Sequence, residues 1–198
     1  MEVTVESPES ILSARIAEEL PPGLLAHVDR VVALADELAS RWGLDVALAR
    51  LMARAHDVSR HLDDQQWLAR AEAYRLPVDA VERAAPVLLH GPVGAEDLRR
   101  RLGVTDERVL HAVRWHTTGH PHYTPEAWAM FVADKVEPHK VRHWPALAEV
   151  LRLALEVGLP AAALRYLDLR LVQTVEAGLA VQPQAVLTRN DLLSAVGG

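Results

Sequence analysis

The sequence places side chains that can bind a metal ion at six positions, and two of these positions are adjacent. Imidazole and carboxylate are suitable ligands for iron, manganese, cobalt or zinc, and two such ions can share a bridging carboxylate or hydroxide. The chain has no cysteine, so thiolate ligands are excluded. The six candidate ligands are His27, His56, Asp57, His90, His116 and Asp134. Six such residues on helix ends that face a common interior would be enough to bind two ions.

Asp134 carries the most weight among the six. A histidine near a helix end is more often a cap or a solvated side chain than a ligand, so a single histidine indicates little. Asp134 falls on a predicted apolar helix face with Trp128 and Phe131, where an unpaired carboxylate would cost several kcal/mol. It therefore needs a cation nearby. That cation is either a metal ion or a core arginine such as Arg54 or Arg114.

Proline and glycine divide the chain into successive amphipathic helices, which predicts an all-α fold. Helices are predicted over residues 8–20, 24–42, 45–57, 63–74, 79–89, 93–102, 106–116, 125–136 and 144–180, the last one restarted by Pro160. Asp45 is the predicted N-cap of the helix that ends at His56 and Asp57. Successive residues on a helix diverge by about 100°, so both can approach one ion only where that helix ends. Thr188 to Asp191 are predicted to cap a last turn.

Composition limits the class of protein. The length of 198 residues favours a single domain, and a hydrophobic fraction of 50% rich in aliphatic residues is typical of a soluble helical protein. The formal charge of −6 argues against broad nucleic-acid binding, which needs a basic surface. Because no segment resembles a leader or approaches ~20 consecutive apolar residues, we expect a cytoplasmic protein without membrane contact. The aliphatic helices after Trp144 would complete the core or form a homodimer face.

The order of His27, the His56–Asp57 pair and Asp134 resembles the HD superfamily of metal-dependent phosphohydrolases, which have an all-helical fold. Four further segments are similar to one branch, the YqeK-type symmetrical bis(5'-nucleosyl)-tetraphosphatases. They are Leu-His-Gly-Pro-Val-Gly-Ala at 89–95, Val-Arg-Trp-His-Thr-Thr-Gly at 113–119, Ala-Asp-Lys-Val-Glu-Pro at 133–138 and Thr-Arg-Asn-Asp-Leu-Leu at 188–193. The resemblance extends from about residue 24 to 193. It implies a single HD-domain helical bundle over residues 23–198, preceded by a helical extension over 1–22.

The resemblance also implies a two-metal site and a reaction. One ion would be held by His27, His56, Asp57 and Asp134, and the other by His90, His116 and the same Asp57. Iron, divalent or mixed-valence, is the metal that the resemblance favours, while manganese, cobalt and zinc stay open. The family hydrolyses diadenosine tetraphosphate at its central phosphoanhydride to give two ADP. The implied partner is therefore a small dinucleoside polyphosphate.

The chain departs from the family pattern near both carboxylates. Arg60 stands where the family usually has lysine, and His139 and Lys140 stand where it has asparagine and arginine. The exchanges at Arg60 and Lys140 keep a positive charge but interchange a forked donor and a point charge, so substrate orientation or turnover would differ. The hypothesis is attack by a hydroxide that bridges the ions, with Asp57, Arg60 and Lys140 as catalytic residues. The predicted substrate contacts are Arg60, His120, His122, His139 and Lys140.

Three other interpretations of the sequence remain open. The first is an HD phosphohydrolase that acts on another nucleotide, such as a nucleoside monophosphate or a cyclic nucleotide. The second is a non-catalytic helical module that binds a nucleotide or a partner protein, for which missing ligands would be expected. The third is an alanine- and leucine-rich bundle in which the histidines are incidental, which would contain no metal.

Overall fold

The structure is a computed structural model that describes residues 8–196. Over this range the chain forms twelve α-helices and one short 3-10 helix. It forms no strands there, which confirms the predicted all-α fold. The α-helices are α1 (Pro8–Glu19), α2 (Pro22–Arg41), α3 (Val46–Ala55), α4 (Asp64–Ala73), α5 (Ala80–Ala84), α6 (His90–Arg101), α7 (Glu107–Trp115), α8 (Pro125–Val136), α9 (Pro138–His143), α10 (Leu147–Glu156), α11 (Leu159–Glu176) and α12 (Pro183–Val196). Among the described residues no helix is both long and apolar enough to cross a membrane.

Two predicted helix starts are confirmed by their caps. The Asp45 side chain accepts a hydrogen bond from the Leu48 backbone N–H at 3.0 Å, which begins α3. Asp63 and Gln66 form a reciprocal capping box at the start of α4. Each cap satisfies backbone donors that the first helical turn leaves unpaired, which is why short polar side chains mark these positions in the sequence.

The helix predicted over residues 79–89 is wrong. The structure ends α5 at Ala84, and a 3-10 helix follows from Pro86 to Leu89. Proline disfavours the helical conformation of the preceding residue and lacks an N–H donor, so Ala85 leaves the helical region at φ −136° and ψ 74°. As a consequence α6 begins at His90 rather than at the predicted residue 93.

The end of the chain also differs from prediction. The helix predicted over 144–180 consists of α10 and α11, and the short helix α9 precedes them. Thr188 does not cap a turn, because α12 continues on both sides of it. Thr188 lies in the middle of α12 and its side chain is buried. Its Oγ1 lies 2.8 Å from the Gln184 carbonyl and 3.0 Å from the Gly119 carbonyl. Thr188 therefore ties the last helix to the turn after α7.

Helix α8 forms the centre of the main core. All its residues from Ala127 to Val136 are buried, and it contacts α2, α3, α7, α10 and α11. Apart from Asp134 and Lys135 the buried residues of this helix are apolar, as expected for a helix that is surrounded by others. Ile16 of α1 and Leu20, which follows α1, belong to the same core, and the division at residues 22 and 23 stays a prediction. A smaller cluster around Trp67 packs α4 against the start of α6.

Candidate metal centre

The six candidate ligands converge although five helices supply them. His27 lies in the second turn of α2, and Asp134 lies near the end of α8. His56 and Asp57 follow α3, His90 is the first residue of α6, and His116 caps the end of α7. His56, Asp57, His90 and His116 therefore all lie at or just beyond a helix end. Five of the six side chains are buried, and that of His27 is 16% exposed.

Three of the histidines share one local arrangement. In each, Nδ1 donates a hydrogen bond to the carbonyl oxygen three residues earlier. The pairs are His56 with Ala53 (2.8 Å), His116 with Val113 (2.7 Å), and His90 with Val87. A ring that donates from Nδ1 presents its Nε2 to the interior, which is the atom a metal would take, and the backbone bond fixes the orientation of the ring.

Asp57 lies between two groups of ring nitrogens. Its Oδ2 is 3.4 Å from His56 Nε2 and 3.9 Å from His27 Nε2. Its Oδ1 is 3.3 Å from His90 Nε2 and 3.4 Å from His116 Nε2. Two sets of three ligand atoms, each set within 4.8 Å, therefore share this one carboxylate. A carboxylate with one oxygen in each set is the arrangement that a bridging ligand requires.

Asp134 completes the first set. Its Oδ1 lies 3.3 Å from His27 Nε2 and 3.6 Å from His56 Nε2. Burial alone would raise the pKa of the Asp134 carboxyl, but Lys135 and Lys140, followed by the two histidines, hold it well below its usual range. The carboxylate is therefore charged in the core and paired with cations, as its position on an apolar helix face in the sequence predicted.

The donor atoms fit a metal ion better than they fit one another. The Nε2 atoms of His90 and His116 lie only 2.8 Å apart, although each ring already donates from Nδ1. Burial, with a contribution from His90, lowers the pKa of His116 to about 4, so the ring is neutral near neutral pH and its Nε2 carries a lone pair toward His90. The Nε2 of His56 is buried without a hydrogen-bond partner among the described residues. Two nitrogens bound at right angles to one ion at about 2.1 Å would be about 3 Å apart.

Charge is strongly concentrated around the shared carboxylate. Burial alone would raise the pKa of Asp57, but His56, followed by His116 and His90, holds it well below the usual range of a carboxyl. Burial alone would lower the pKa of His56, yet Asp57 and Asp134 outweigh it and raise that pKa to about 10. The cluster therefore attracts positive charge to the interior, which a proton supplies in the metal-free protein.

Residues 24–139 match the HD domain family, and this segment contains all six candidate ligands. The chain belongs to the HD domain family. It is similar to the symmetrical bis(5'-nucleosyl)-tetraphosphatase of Bacillus subtilis, with 32% identity over 91% of this chain and 95% of that protein. A protein of the same name from Halalkalibacterium halodurans is 30% identical over 84% of this chain and 87% of its own length.

A solved structure confirms the HD fold. The crystal structure of a predicted HD superfamily hydrolase involved in NAD metabolism from Clostridium acetobutylicum matches with a TM-score of 0.86, covering 96% of this chain and all of that chain, at 24% identity. The named relatives and the histidine and aspartate clusters together support a metal-dependent hydrolase. The metal roles of the six individual residues stay a prediction.

The cations beside Asp134 in this HD domain differ from those expected. Neither predicted arginine contacts it, because Arg54 pairs with Asp29 at 2.7 Å and Arg114 lies over the Trp115 ring. Instead, Lys135 Nζ lies 2.5 Å from Asp134 Oδ2, and Lys140 Nζ lies 2.6 Å from Oδ1. The sequence does not indicate the adjacent lysine as a partner, because neighbours on a helix normally diverge. Its long side chain folds back over the Phe131 ring to reach the carboxylate.

Glu137 is a second residue of the HD domain that sequence reasoning missed. Its buried Oε1 lies 3.6 Å from His27 Nδ1, while Arg30 donates to Oε2 at 2.7 Å. The backbone N–H of His139 also donates to Glu137, at 2.9 Å. A carboxylate on the outer nitrogen of a ligating histidine fixes the ring and increases its basicity. The only signal in the sequence was its position in the Glu-Pro segment after Asp134.

The segment after Asp57 is held by a buried carboxylate on α6. Asp97 accepts hydrogen bonds from Ser59 Oγ and Tyr74 Oη, both at 2.6 Å, and from Arg70. The Trp67 indole N–H donates to the Ser59 carbonyl at 2.9 Å. These contacts join α4 and α6 to the residues immediately after Asp57, so they restrict the position of the Asp57 carboxylate.

The predicted substrate contacts lie at different depths. Among the described residues of this group, Lys140 is the one that hydrogen-bonds to a candidate ligand. Arg60 is exposed beside the Trp67 ring, at 5.8 Å from its centroid, and His139 is exposed on α9. His120 is half-buried against Trp115, with ring centroids 5.3 Å apart, and the exposed His122 lies beside it. Their contacts with a substrate stay a prediction.

Proposed function

We propose that this chain hydrolyses diadenosine tetraphosphate symmetrically to two ADP, and cleaves related dinucleoside polyphosphates in the same way. The observation that carries the proposal is the carboxylate of Asp57, which faces His56 and His27 with one oxygen and His90 and His116 with the other. A single-ion site would not need the second group. The names of the relatives supply the substrate, which is a small molecule. Such a substrate does not require the basic surface that nucleic-acid binding would need.

Two ions fit the donor set, and the division of ligands follows the distances. His27, His56, Asp57 and Asp134 would hold one ion, and His90, His116 and Asp57 would hold the other. Imidazole and carboxylate suit iron, manganese, cobalt or zinc better than a cation that prefers oxygen alone, and the resemblance to the family favours iron. Bound there, the ions would supply a water ionised near neutral pH and positive charge for the phosphoryl oxygens.

The side chains of this chain have a separate task, which is to bind and orient the polyphosphate. Lys140 reaches Asp134 from the surface, with its side chain 40% exposed, so its ammonium can also contact a phosphate next to the centre. Arg60 is exposed three residues after Asp57 and adds a forked donor for a second phosphate. His139 lies beside Lys140. His120 and His122 would contact the polyphosphate or a base with their rings. The departing ADP is a stable anion, so no strong general acid is required.

Product analysis tests the proposal. Protein prepared without oxygen and loaded with iron or manganese is incubated with diadenosine tetraphosphate, and the products are separated by chromatography. We expect ADP as the only nucleotide product, at two per substrate consumed. AMP together with ATP, or no turnover, would contradict the proposal. Parallel incubations with a nucleoside monophosphate and a cyclic nucleotide test the alternative substrates of an HD phosphohydrolase, and turnover of neither substrate class would favour a non-catalytic module.

A further inference from the structure

A cleft of about 440 Å³ lies between α8, α9, α10 and α11, on the side of the candidate metal centre where α8 ends. Its basic side chains are Lys135, Lys140, His143 and Arg170, and its aromatic side chains are Trp144 and Tyr166. None of the residues that line it is acidic. A volume of this size is within the range of sites that bind small molecules. We call this space the basic cleft.

The basic cleft begins where the ligand cluster ends. Lys135 and Lys140, which line the cleft, both hydrogen-bond to the carboxylate of Asp134. Asp134 Oδ1 in turn lies 3.3 Å from His27 Nε2. The ammonium groups of Lys135 and Lys140 therefore connect the ligand cluster to the wall of the cleft.

The charge of the cleft is opposite to that of the whole chain, which carries a formal charge of −6. Arg170 hydrogen-bonds to Gln173 at 2.5 Å and has no carboxylate partner within the described part of the chain. The adjacent cleft, which shares Trp144 and has a volume of about 490 Å³, contains Asp168 and Glu176. Of these two neighbouring spaces, only the basic cleft favours an anion, because an anion in the other would meet two carboxylates.

The aromatic side chains add a flat apolar surface to this charge. Trp144 is the half-buried residue that follows α9, and it lines both clefts. Tyr166 is half-buried on α11, with its ring centroid 5.7 Å from Lys135 Nζ. Arginine and lysine bind phosphate, whereas a nucleobase stacks on an aromatic ring. A cleft with both features matches a nucleoside with its phosphates better than it matches inorganic phosphate.

We propose that the basic cleft binds one nucleoside diphosphate half of the substrate, with its phosphates on Lys140 and Arg170 and its base against Trp144. This inference rests on the proposed function, since it assigns a place to one half of a symmetric dinucleotide. It adds Arg170 and Trp144, which lie outside every segment that carried the resemblance, to the substrate-binding residues. It also makes the product ADP a ligand of the protein at the same place.

Arg170→Gln tests the phosphate contact, because the side chain is exposed and its loss removes one charge. The matched control is Arg165→Gln on the same helix, which lines the neighbouring cleft and pairs with Glu149. In metal-loaded protein we expect Arg170→Gln to raise the KM for diadenosine tetraphosphate and the Kd for ADP about tenfold, as for loss of a charge-assisted hydrogen bond. Arg165→Gln should leave both values within twofold of the wild type.

Trp144→Leu separates the base from the phosphates. We expect this variant to weaken ADP binding about tenfold while its affinity for inorganic pyrophosphate stays within twofold of the wild type, as measured by calorimetry. Equal ADP affinity in wild type, Arg170→Gln and Trp144→Leu would overturn the inference, as would wild-type protein that binds no ADP. If diadenosine tetraphosphate is not cleaved but ADP binding still falls in Arg170→Gln, the proposed function fails and the cleft stands. If the substrate is cleaved and both variants match the control, the cleft fails and the function stands.

Discussion

The Nε2 atoms of His90 and His116 face each other at 2.8 Å in the protein interior. Each ring already donates a hydrogen bond from Nδ1 to the backbone, so the two facing nitrogens repel unless a cation lies between or beside them. Asp57 Oδ1 lies 3.3 Å from one and 3.4 Å from the other. Two imidazole nitrogens and a carboxylate oxygen at these distances could supply three ligands to one metal ion. The second group, which contains His27 and His56, shares the same carboxylate.

Asp57→Ala should remove both metal retention and hydrolysis. The carboxylate faces both groups of nitrogens, so its loss weakens both sites at once and lowers turnover by at least about a thousandfold. Metal content and product formation are measured on the same preparation. Asp64→Ala, an exposed acid at the start of α4, is the control and should behave as wild type. An Asp57→Ala protein with normal turnover would contradict the account.

The local features of this site were predictable from the sequence, but its partners were not. Asp45 and the His56–Asp57 pair mark the two ends of α3 because capping and helix termination depend on neighbours along the chain. The burial of Asp134 followed from its apolar helix face. The pairing of Asp134 with Lys135 and Lys140 depends on how the long lysine side chains fold. The contact of Glu137 with His27 joins residues that are 110 positions apart in the sequence. Such contacts leave no periodic signal, so the sequence suggested Arg54 or Arg114 as a side-chain partner of Asp134 where the structure has Lys135 and Lys140.

Glu137→Gln should weaken one metal position without removing it. The variant keeps the shape of the side chain but loses the charge that faces His27 Nδ1. Loss of such an outer carboxylate typically reduces metal affinity about 10- to 100-fold. Competition with a graded chelator measures the affinity, and Glu149→Gln, which removes a surface pair with Arg165, is the control. Equal affinity in both variants would show that Glu137 does not position His27.

Gly119→Ala should destabilise the protein more than its backbone conformation alone explains. Gly119 has φ +67°, and an added Cβ would lie 3.0 Å from the Thr188 methyl and 3.1 Å from the Trp128 ring. Gly43 has φ +65° with open space around it, so Gly43→Ala carries the same backbone strain without the contacts. We expect Gly119→Ala to lose about 1–3 kcal/mol more in the free energy of unfolding than Gly43→Ala. Urea denaturation measures both, and equal losses would contradict the packing shown here.

Tyr123→Phe should change the response of stability to alkaline pH. Burial, reinforced by Asp134, raises the pKa of the Tyr123 hydroxyl well above its usual value, and the hydroxyl donates to the Ala112 carbonyl at 2.7 Å. Above pH about 10 the unfolded chain releases this proton while the folded protein keeps it, so stability falls by about 1.4 kcal/mol per pH unit. The variant should lose about 1 kcal/mol at pH 8 and show a shallower decline above pH 10. Urea unfolding of metal-free protein across this range measures both slopes, and parallel slopes would refute the assignment.

The number of ions per chain tests the central claim most directly. Wild type and His90→Ala, both purified without oxygen and reconstituted with excess iron, are analysed for metal content after unbound metal has been removed. If Asp57 joins two sites, wild type contains two ions per chain and His90→Ala contains one, because only the set around His56 and Asp134 stays complete. One ion per wild-type chain, or two in His90→Ala, would contradict the account.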